Sequence, residues 1–124
     1  ITLRHKEFGS EYTFQAARKL TKVPDNHICS QMHGHTFKVH IKIDGKIQDQ
    51  DDFVMDFFDI DKIFNQQIFS YLDHKCLNEI DGLENPTTEI ISIWIWDHLI
   101  DTLPLLLEVS VYEGDLYGCT YYGK

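Results

Sequence analysis

The sequence predicts an α+β fold: a four-stranded antiparallel sheet with two helices on one face, in the order ββααββ. Three observations predict it. Residues 33–44 alternate apolar and polar, the period of a half-buried strand. Two later segments, one after Asp56 and one after Asn85-Pro86-Thr87, carry the three-to-four-residue spacing of helices. Strand-like alternation resumes over residues 107–113 and 119–122. Strands on either side of a helix pair, with apolar stripes on both helices, favour a sheet covered on one face.

The elements follow in chain order. The first strand spans about residues 7–20, with Phe8, Tyr12, Phe14, Ala16 and Arg18 facing inward. A turn at Pro24-Asp25-Asn26 leads to the second strand, where Phe37, Val39, Ile41 and Ile43 share a side with His33 and His35. Thr36, Lys38, His40, Lys42 and Asp44 fall on the other side. Gly45 and the acidic run Asp49-Gln50-Asp51-Asp52 form a loop. Asp56 is placed to cap the first helix, with Asp59 in its first turn, and Ile60, Ile63, Phe64, Gln67, Ile68, Tyr71 and Leu72 form its stripe. Asp81-Gly82 breaks the chain, and Thr87 and Thr88 open the second helix, about residues 88–103, which Pro104 ends. Apolar residues nearly encircle that helix, which in a chain of this size favours a subunit interface. On the third strand Leu107, Val109 and Val111 share a face with Glu113.

With 124 residues, 43% hydrophobic and 25% charged, the chain is expected to form a single domain over residues 1–124. A net charge of −9 argues against nucleic acid as a partner, since such binding rests on a basic surface, but leaves a small anionic ligand open. The apolar runs are too short to span a bilayer, so no membrane is expected. Three scattered cysteines, Cys29, Cys76 and Cys119, do not form a disulfide pattern and suggest a reducing, cytoplasmic setting.

Chemistry concentrates in Cys29-Ser30-Gln31-Met32-His33-Gly34-His35. Two imidazoles on one strand face can chelate a metal ion, though histidines also pack in cores, and a catalytic metal needs a third protein ligand. Cys29 is either a structural thiol or, near a cation, a base or nucleophile. Asp73-His74 is either a solvated helix end or a carboxylate that orients an imidazole for proton transfer. Glu113 either caps the core edge or accepts two parallel hydrogen bonds from a heterocycle edge. Thr87 and Thr88 suit a helix start, and equally a polar ligand edge.

Taken together the motifs resemble the 6-pyruvoyl-tetrahydropterin synthase superfamily, most closely its 6-carboxytetrahydropterin synthase branch. They run through Tyr12-Thr13-Phe14-Gln15-Ala16-Ala17, His27-Ile28-Cys29, His33-Gly34-His35, Met55-Asp56-Phe57 and Leu72-Asp73-His74. They continue through Leu83-Glu84-Asn85-Pro86-Thr87-Thr88-Glu89, Trp94-Ile95-Trp96-Asp97, Val111-Tyr112-Glu113 and Gly118-Cys119-Thr120-Tyr121. The three-residue gap between Cys29 and His33 is similar to that of the 6-carboxy branch. The resemblance implies the tunnelling fold (T-fold), a homohexamer built as a dimer of trimers, intersubunit active sites and a zinc ion. It implies a 7,8-dihydroneopterin triphosphate substrate, converted to 6-carboxytetrahydropterin, acetaldehyde and triphosphate on the route to queuosine. By position His33 and His35 match zinc ligands, Cys29 the catalytic base, and Asp73 and His74 its partner dyad. Glu113 matches the pterin anchor, and Thr87 and Thr88 match pterin contacts.

One position departs from the pattern. The family places its first zinc-binding histidine after the Phe-x-Ala-Ala run, where this chain has Arg18. Arginine stays protonated and offers donors only. Three outcomes are open: His27 or Cys29 completes the site, zinc binds weakly through two histidines, or the metal is absent and Arg18 supplies positive charge to the substrate's side-chain oxygens or a phosphate. Pyruvoyl-type triphosphate elimination, and a pterin-binding protein whose catalysis Arg18 has impaired, are the alternative functions.

Overall fold

A computed structural model of the chain describes residues 5–123. Strands β1 (His5–Arg18) and β2 (His33–Lys46) form a long antiparallel pair, from His5 opposite Lys46 to Arg18 opposite His33. The first helix (residues 57–72) follows, then β3 (Lys75–Cys76), the second helix (Thr88–Leu99), β4 (Leu106–Glu113) and β5 (Tyr117–Tyr121). The sheet order is β3-β1-β2-β4-β5. Among the described residues it is therefore five-stranded and mixed, not four-stranded and antiparallel, because β3 runs parallel to β1 through Ala16–Lys75 and Ala17–Cys76. A two-residue strand is too short to show any alternation, so the sequence carries no signal for it.

Both helices cover one face of the sheet, as expected. Phe14, Phe37, Val39, Ile41 and Ile43 are buried there, and Phe8 lies outside the described side chains. The other face is charged: Lys38 lies 3.6 Å from both Glu11 and Asp115, and Lys42 lies 3.5 Å from Glu108. The first helix starts where Asp56 accepts the Phe58 N–H at 2.9 Å. Ile60, Phe64, Ile68 and Leu72 are fully buried along it. A repeat of four drifts off one face of an ordinary helix, which has 3.6 residues per turn. The wider π-helical turn at Asn65–Phe69 offsets that drift and keeps the stripe inward. The Phe64 ring stacks on Tyr12 at 3.9 Å, and the Tyr12 hydroxyl donates to Asp61 at 2.7 Å.

The second helix is capped by Thr87, whose hydroxyl accepts the Ile90 N–H at 3.1 Å. It buries Ile91, Trp94, Ile95 and Leu99, and Trp96 meets Tyr121 of β5 edge-on. Most of its apolar surface is thus covered within the chain. Ile90, Ile93, Trp96 and Ile100 keep partial exposure, so its composition does not by itself call for a second subunit. On β4 the register shifts between Lys42 and Ile43 of β2, which turns Leu106 rather than Leu107 into the core.

Candidate active site

Register alone assembles the centre of the site. Arg18 stands opposite His33, Ala16 opposite His35, and Glu113 opposite Phe37. Alternation then puts Arg18, His33, His35 and Glu113 on the helix-covered face of the sheet, at one end of it. The connection before the second helix is pinned to the chain leaving β1. Asn78 accepts the Lys19 N–H at 2.9 Å and donates to the Lys19 carbonyl at 2.8 Å, and Asn85 accepts the Thr21 N–H at 2.9 Å. This brings Thr87 and Thr88 over the centre. On the opposite side a short 3₁₀ turn, Ile28–Ser30, carries Cys29; the His27 ring accepts the Cys29 N–H at 3.0 Å and so caps the turn. The result is a cavity of about 640 Å³ lined by Arg18, Cys29, Gln31, His33, His35, Thr87, Thr88, Glu89 and Glu113, among others.

Arg18 is buried, at 3% exposure. One terminal nitrogen donates to a Glu113 oxygen and the other to the Pro86 carbonyl at 2.9 Å. The guanidinium also lies over the Phe37 ring, 5.1 Å from its centroid. His35 Nε2 lies 3.3 Å from the same Glu113 oxygen, and the Thr88 hydroxyl donates to the other at 3.3 Å. His33 Nδ1 lies 2.7 Å from the Gln31 carbonyl, which only accepts, so Nδ1 carries a proton. Burial holds the His35 pKa below its usual value; Glu113 works against this, while Arg18 and His33 add to it. Among the described residues Arg18 Nε and His35 Nε2 are buried with no hydrogen-bond partner.

Asp73 and His74 sit at the outer edge of β1. His74 lines a second cavity, of about 530 Å³, with Gln15, Ala17, Gly34, Thr36, Lys75 and Cys76. Asp73 accepts the Gln15 N–H at 2.9 Å and pairs with His74 Nδ1 at 2.7 Å. The Gln15 N–H holds the Asp73 carboxyl below its usual range, with His74 adding to the effect. The His74 N–H returns to the Gln15 carbonyl and fixes a left-handed backbone at φ 59°. The His74 side chain is 77% exposed. Within one chain, then, Cys29 and His74 line different cavities, although Gly34 and His35 border both.

Several working groups left no trace in the side-chain pattern. The Pro86 and Gln31 carbonyls and the Gln15 main chain hold Arg18, His33 and the Asp73–His74 pair. Backbone groups of this kind are set by tertiary contact, and only the turn residues beside them could have hinted at them.

A family model described as 6-pyruvoyl tetrahydropterin synthase matches residues 7–124. The chain belongs to this family. A protein of Archaeoglobus fulgidus, provisionally named as a 6-carboxy-5,6,7,8-tetrahydropterin synthase, is 38% identical over 86% of this chain and 87% of its own. A Pyrococcus furiosus relative named dihydroneopterin monophosphate aldolase is 36% identical over 71% of this chain and 75% of its own. The human 6-pyruvoyl tetrahydrobiopterin synthase is 35% identical over 74% and 67%. The structure of Caenorhabditis elegans 6-pyruvoyl tetrahydropterin synthase has the same fold, with a TM-score of 0.89 at 20% identity over 97% of this chain and 96% of that one. Among the described residues no helix is long and apolar enough to cross a membrane.

Proposed function

We propose that this member of the family is a carbon–carbon lyase of the 6-carboxy-5,6,7,8-tetrahydropterin synthase type. It would take 7,8-dihydroneopterin triphosphate and one water to 6-carboxytetrahydropterin, acetaldehyde and triphosphate, a step toward queuosine. The observation that carries the reading is one cavity lined by a thiol, two imidazoles, an anchoring carboxylate and two threonines.

Each residue has a role that follows from its setting. A carboxylate has about four lone-pair sites, so Glu113 can keep its bond to Arg18 and still accept the N–H pair of a pterin's amidine edge. Thr87 and Thr88 border the ring, and Glu113 and the threonines together hold the side chain near the thiol. Cys29, at the cavity wall, moves protons on the side-chain carbons. The Asp73–His74 pair is built as an acid–base group: the carboxylate fixes Nδ1 and leaves Nε2 open to solvent. Its exposure at a sheet edge suits an active site completed between copies of the chain, as in a homohexamer of two trimers.

A zinc ion is the group the family resemblance implies, and His33 and His35 are the donors the chain offers it. Arg18 occupies the third position and cannot ligate, and His27 is engaged as the cap of the Cys29 turn. Among the described residues no group of three or more His, Cys, Asp or Glu side chains is placed to hold a metal ion. The donor set does not fit a three-ligand zinc site.

The Pyrococcus furiosus relative favours a second reading, aldol cleavage of dihydroneopterin monophosphate. Both reactions break a side-chain carbon–carbon bond, and their products differ. The first releases acetaldehyde and triphosphate; the second leaves a hydroxymethyl group on the ring and releases glycolaldehyde phosphate. Incubation with each substrate, followed by aldehyde capture and chromatography of the pterin, tests both. Unchanged substrate in both cases sinks the lyase reading.

A further inference from the structure

The least explained feature of the site is a buried cation whose Nε, like Nε2 of nearby His35, makes no hydrogen bond among the described residues. Arg18 is fixed at both terminal nitrogens, by Glu113 and by the Pro86 carbonyl. Among the described residues its Nε and Nε2 of His35 are buried without a hydrogen bond, the latter standing 3.3 Å from a Glu113 oxygen. Both residues line the cavity and both meet the same Glu113 oxygen. A buried polar atom without a partner is costly, so one such atom on each of two neighbouring residues that line the cavity marks a place where a ligand atom belongs.

We infer that this cavity is a metal-independent variant of the family's site, in which the Arg18–Glu113 ion pair is the fixed charged centre and Arg18 Nε with His35 Nε2 takes an oxygen atom of the ligand's hydroxylated side chain. The inference deepens the pterin reading and rests on it for the identity of the ring.

The donor chemistry supports it. The family resemblance puts the third metal ligand at the position opposite His33, and Arg18 presents only N–H groups there. Exchanging a metal for a guanidinium changes what the centre can hold. A metal ion takes any lone pair, whereas the Nε–H of Arg18 is a single directed donor whose plane is set by two bonds already made. His35 Nε2 can accept from a ligand hydroxyl whose oxygen accepts from Arg18, so a hydroxyl satisfies both groups at once. A side chain carrying hydroxyls is therefore the chemistry this point selects. The net effect on Glu113 is orientation: Arg18 and Thr88 hold its two oxygens in place for a ring edge.

The test counts zinc and measures binding separately. Wild-type protein and the variants Arg18→His and Arg18→Lys are incubated with zinc, gel-filtered and analysed for metal. The expected result is sub-stoichiometric zinc in wild type and Arg18→Lys, and one zinc per chain in Arg18→His. Binding is read from the ring fluorescence of two probes in EDTA: neopterin, which carries a trihydroxypropyl chain, and unsubstituted pterin. Wild type is expected to prefer neopterin by about tenfold or more, the scale of a hydrogen bond to a charged group. EDTA should leave that preference unchanged. Arg18→Lys keeps the charge but lacks Nε, so it should lose the preference while still binding pterin.

One zinc per wild-type chain surviving gel filtration would overturn the inference, as would loss of neopterin preference in EDTA. So would an Arg18→Lys protein that discriminates like wild type. Failure of both probes to bind wild type would sink the pterin reading and the ligand half of the inference together. In that case the zinc count in wild type and Arg18→His still decides the metal half.

Discussion

Removing the Glu113 charge is expected to expose how the centre of the site is held. In Glu113→Gln the amide oxygen can still accept from Arg18, but the guanidinium loses its counter-charge while its side chain stays 4% exposed. Breaking a buried ion pair from one side costs about 3–5 kcal/mol, because the remaining charge is stranded. Glu113 is itself 25% exposed, and the Pro86 carbonyl still holds Arg18. Solvent screening and that second bond place the expected loss lower, at about 2–3 kcal/mol. Denaturant unfolding followed by circular dichroism, at one fixed protein concentration, measures it. The double variant Arg18→Met, Glu113→Gln removes the stranded charge and fills its space with apolar atoms, so it should recover to within about 1 kcal/mol of wild type. If Glu113→Gln unfolds within about 0.5 kcal/mol of wild type, or if the double variant is no more stable than the single one, the pair is not the buried electrostatic centre described above.

Three further outcomes are expected. Cys29→Ala should lower turnover by about 10²–10⁴-fold, the scale of a lost acid–base group, with unfolding unchanged because Cys29 sits in a partly exposed turn; full activity would remove Cys29 from the proton-transfer role. Asp73 has a lowered pKa through the Gln15 N–H and His74, so its stabilising contribution is present above the unfolded carboxyl pKa, about 3.9, and is lost as pH falls through the lower folded value. Asp73→Asn should therefore reduce stability at neutral pH and flatten the acid limb of the stability profile below about pH 4, and an unchanged acid limb would contradict the bond to Gln15. Phe64→Ala, fully buried and stacked on Tyr12, should cost about 3–5 kcal/mol in denaturant unfolding, and a loss below about 1 kcal/mol would mean that the first helix does not pack as described.

Much of the fold was legible because periodicity survives in single segments. The alternation over residues 33–44 gave β2 its buried face, and the four-residue spacing of Ile60, Phe64, Ile68 and Leu72 gave the first helix its stripe. Asp56 and Thr87 were legible as caps because a short side-chain acceptor before an apolar run is a local signal. What failed was non-local. The parallel partner of β1 is two residues long, and the shift that turns Leu106 inward arises from pairing with β2. The sequence likewise could not show how much of the second helix's apolar surface β4 and β5 cover within the chain.

The site divided in the same way. His33, His35 and Glu113 were expected on one face from alternation, and they share one cavity with Cys29, Thr87 and Thr88. Arg18 was expected inward at the position of a metal ligand, and its ion pair with Glu113 depends on the register of three strands. The separation of Asp73–His74 from Cys29 follows from their places in the fold, the pair beside β3 at the sheet edge and the thiol in the connection between β1 and β2, which linear spacing does not encode.

The most direct measurement is product analysis after incubation with 7,8-dihydroneopterin triphosphate and, separately, its monophosphate. A carbon–carbon lyase releases a two-carbon aldehyde, acetaldehyde or glycolaldehyde phosphate, in equal amount to the pterin consumed, with one side-chain carbon left on the ring. Triphosphate release with all three side-chain carbons retained, or no consumption of either substrate, would contradict the lyase assignment.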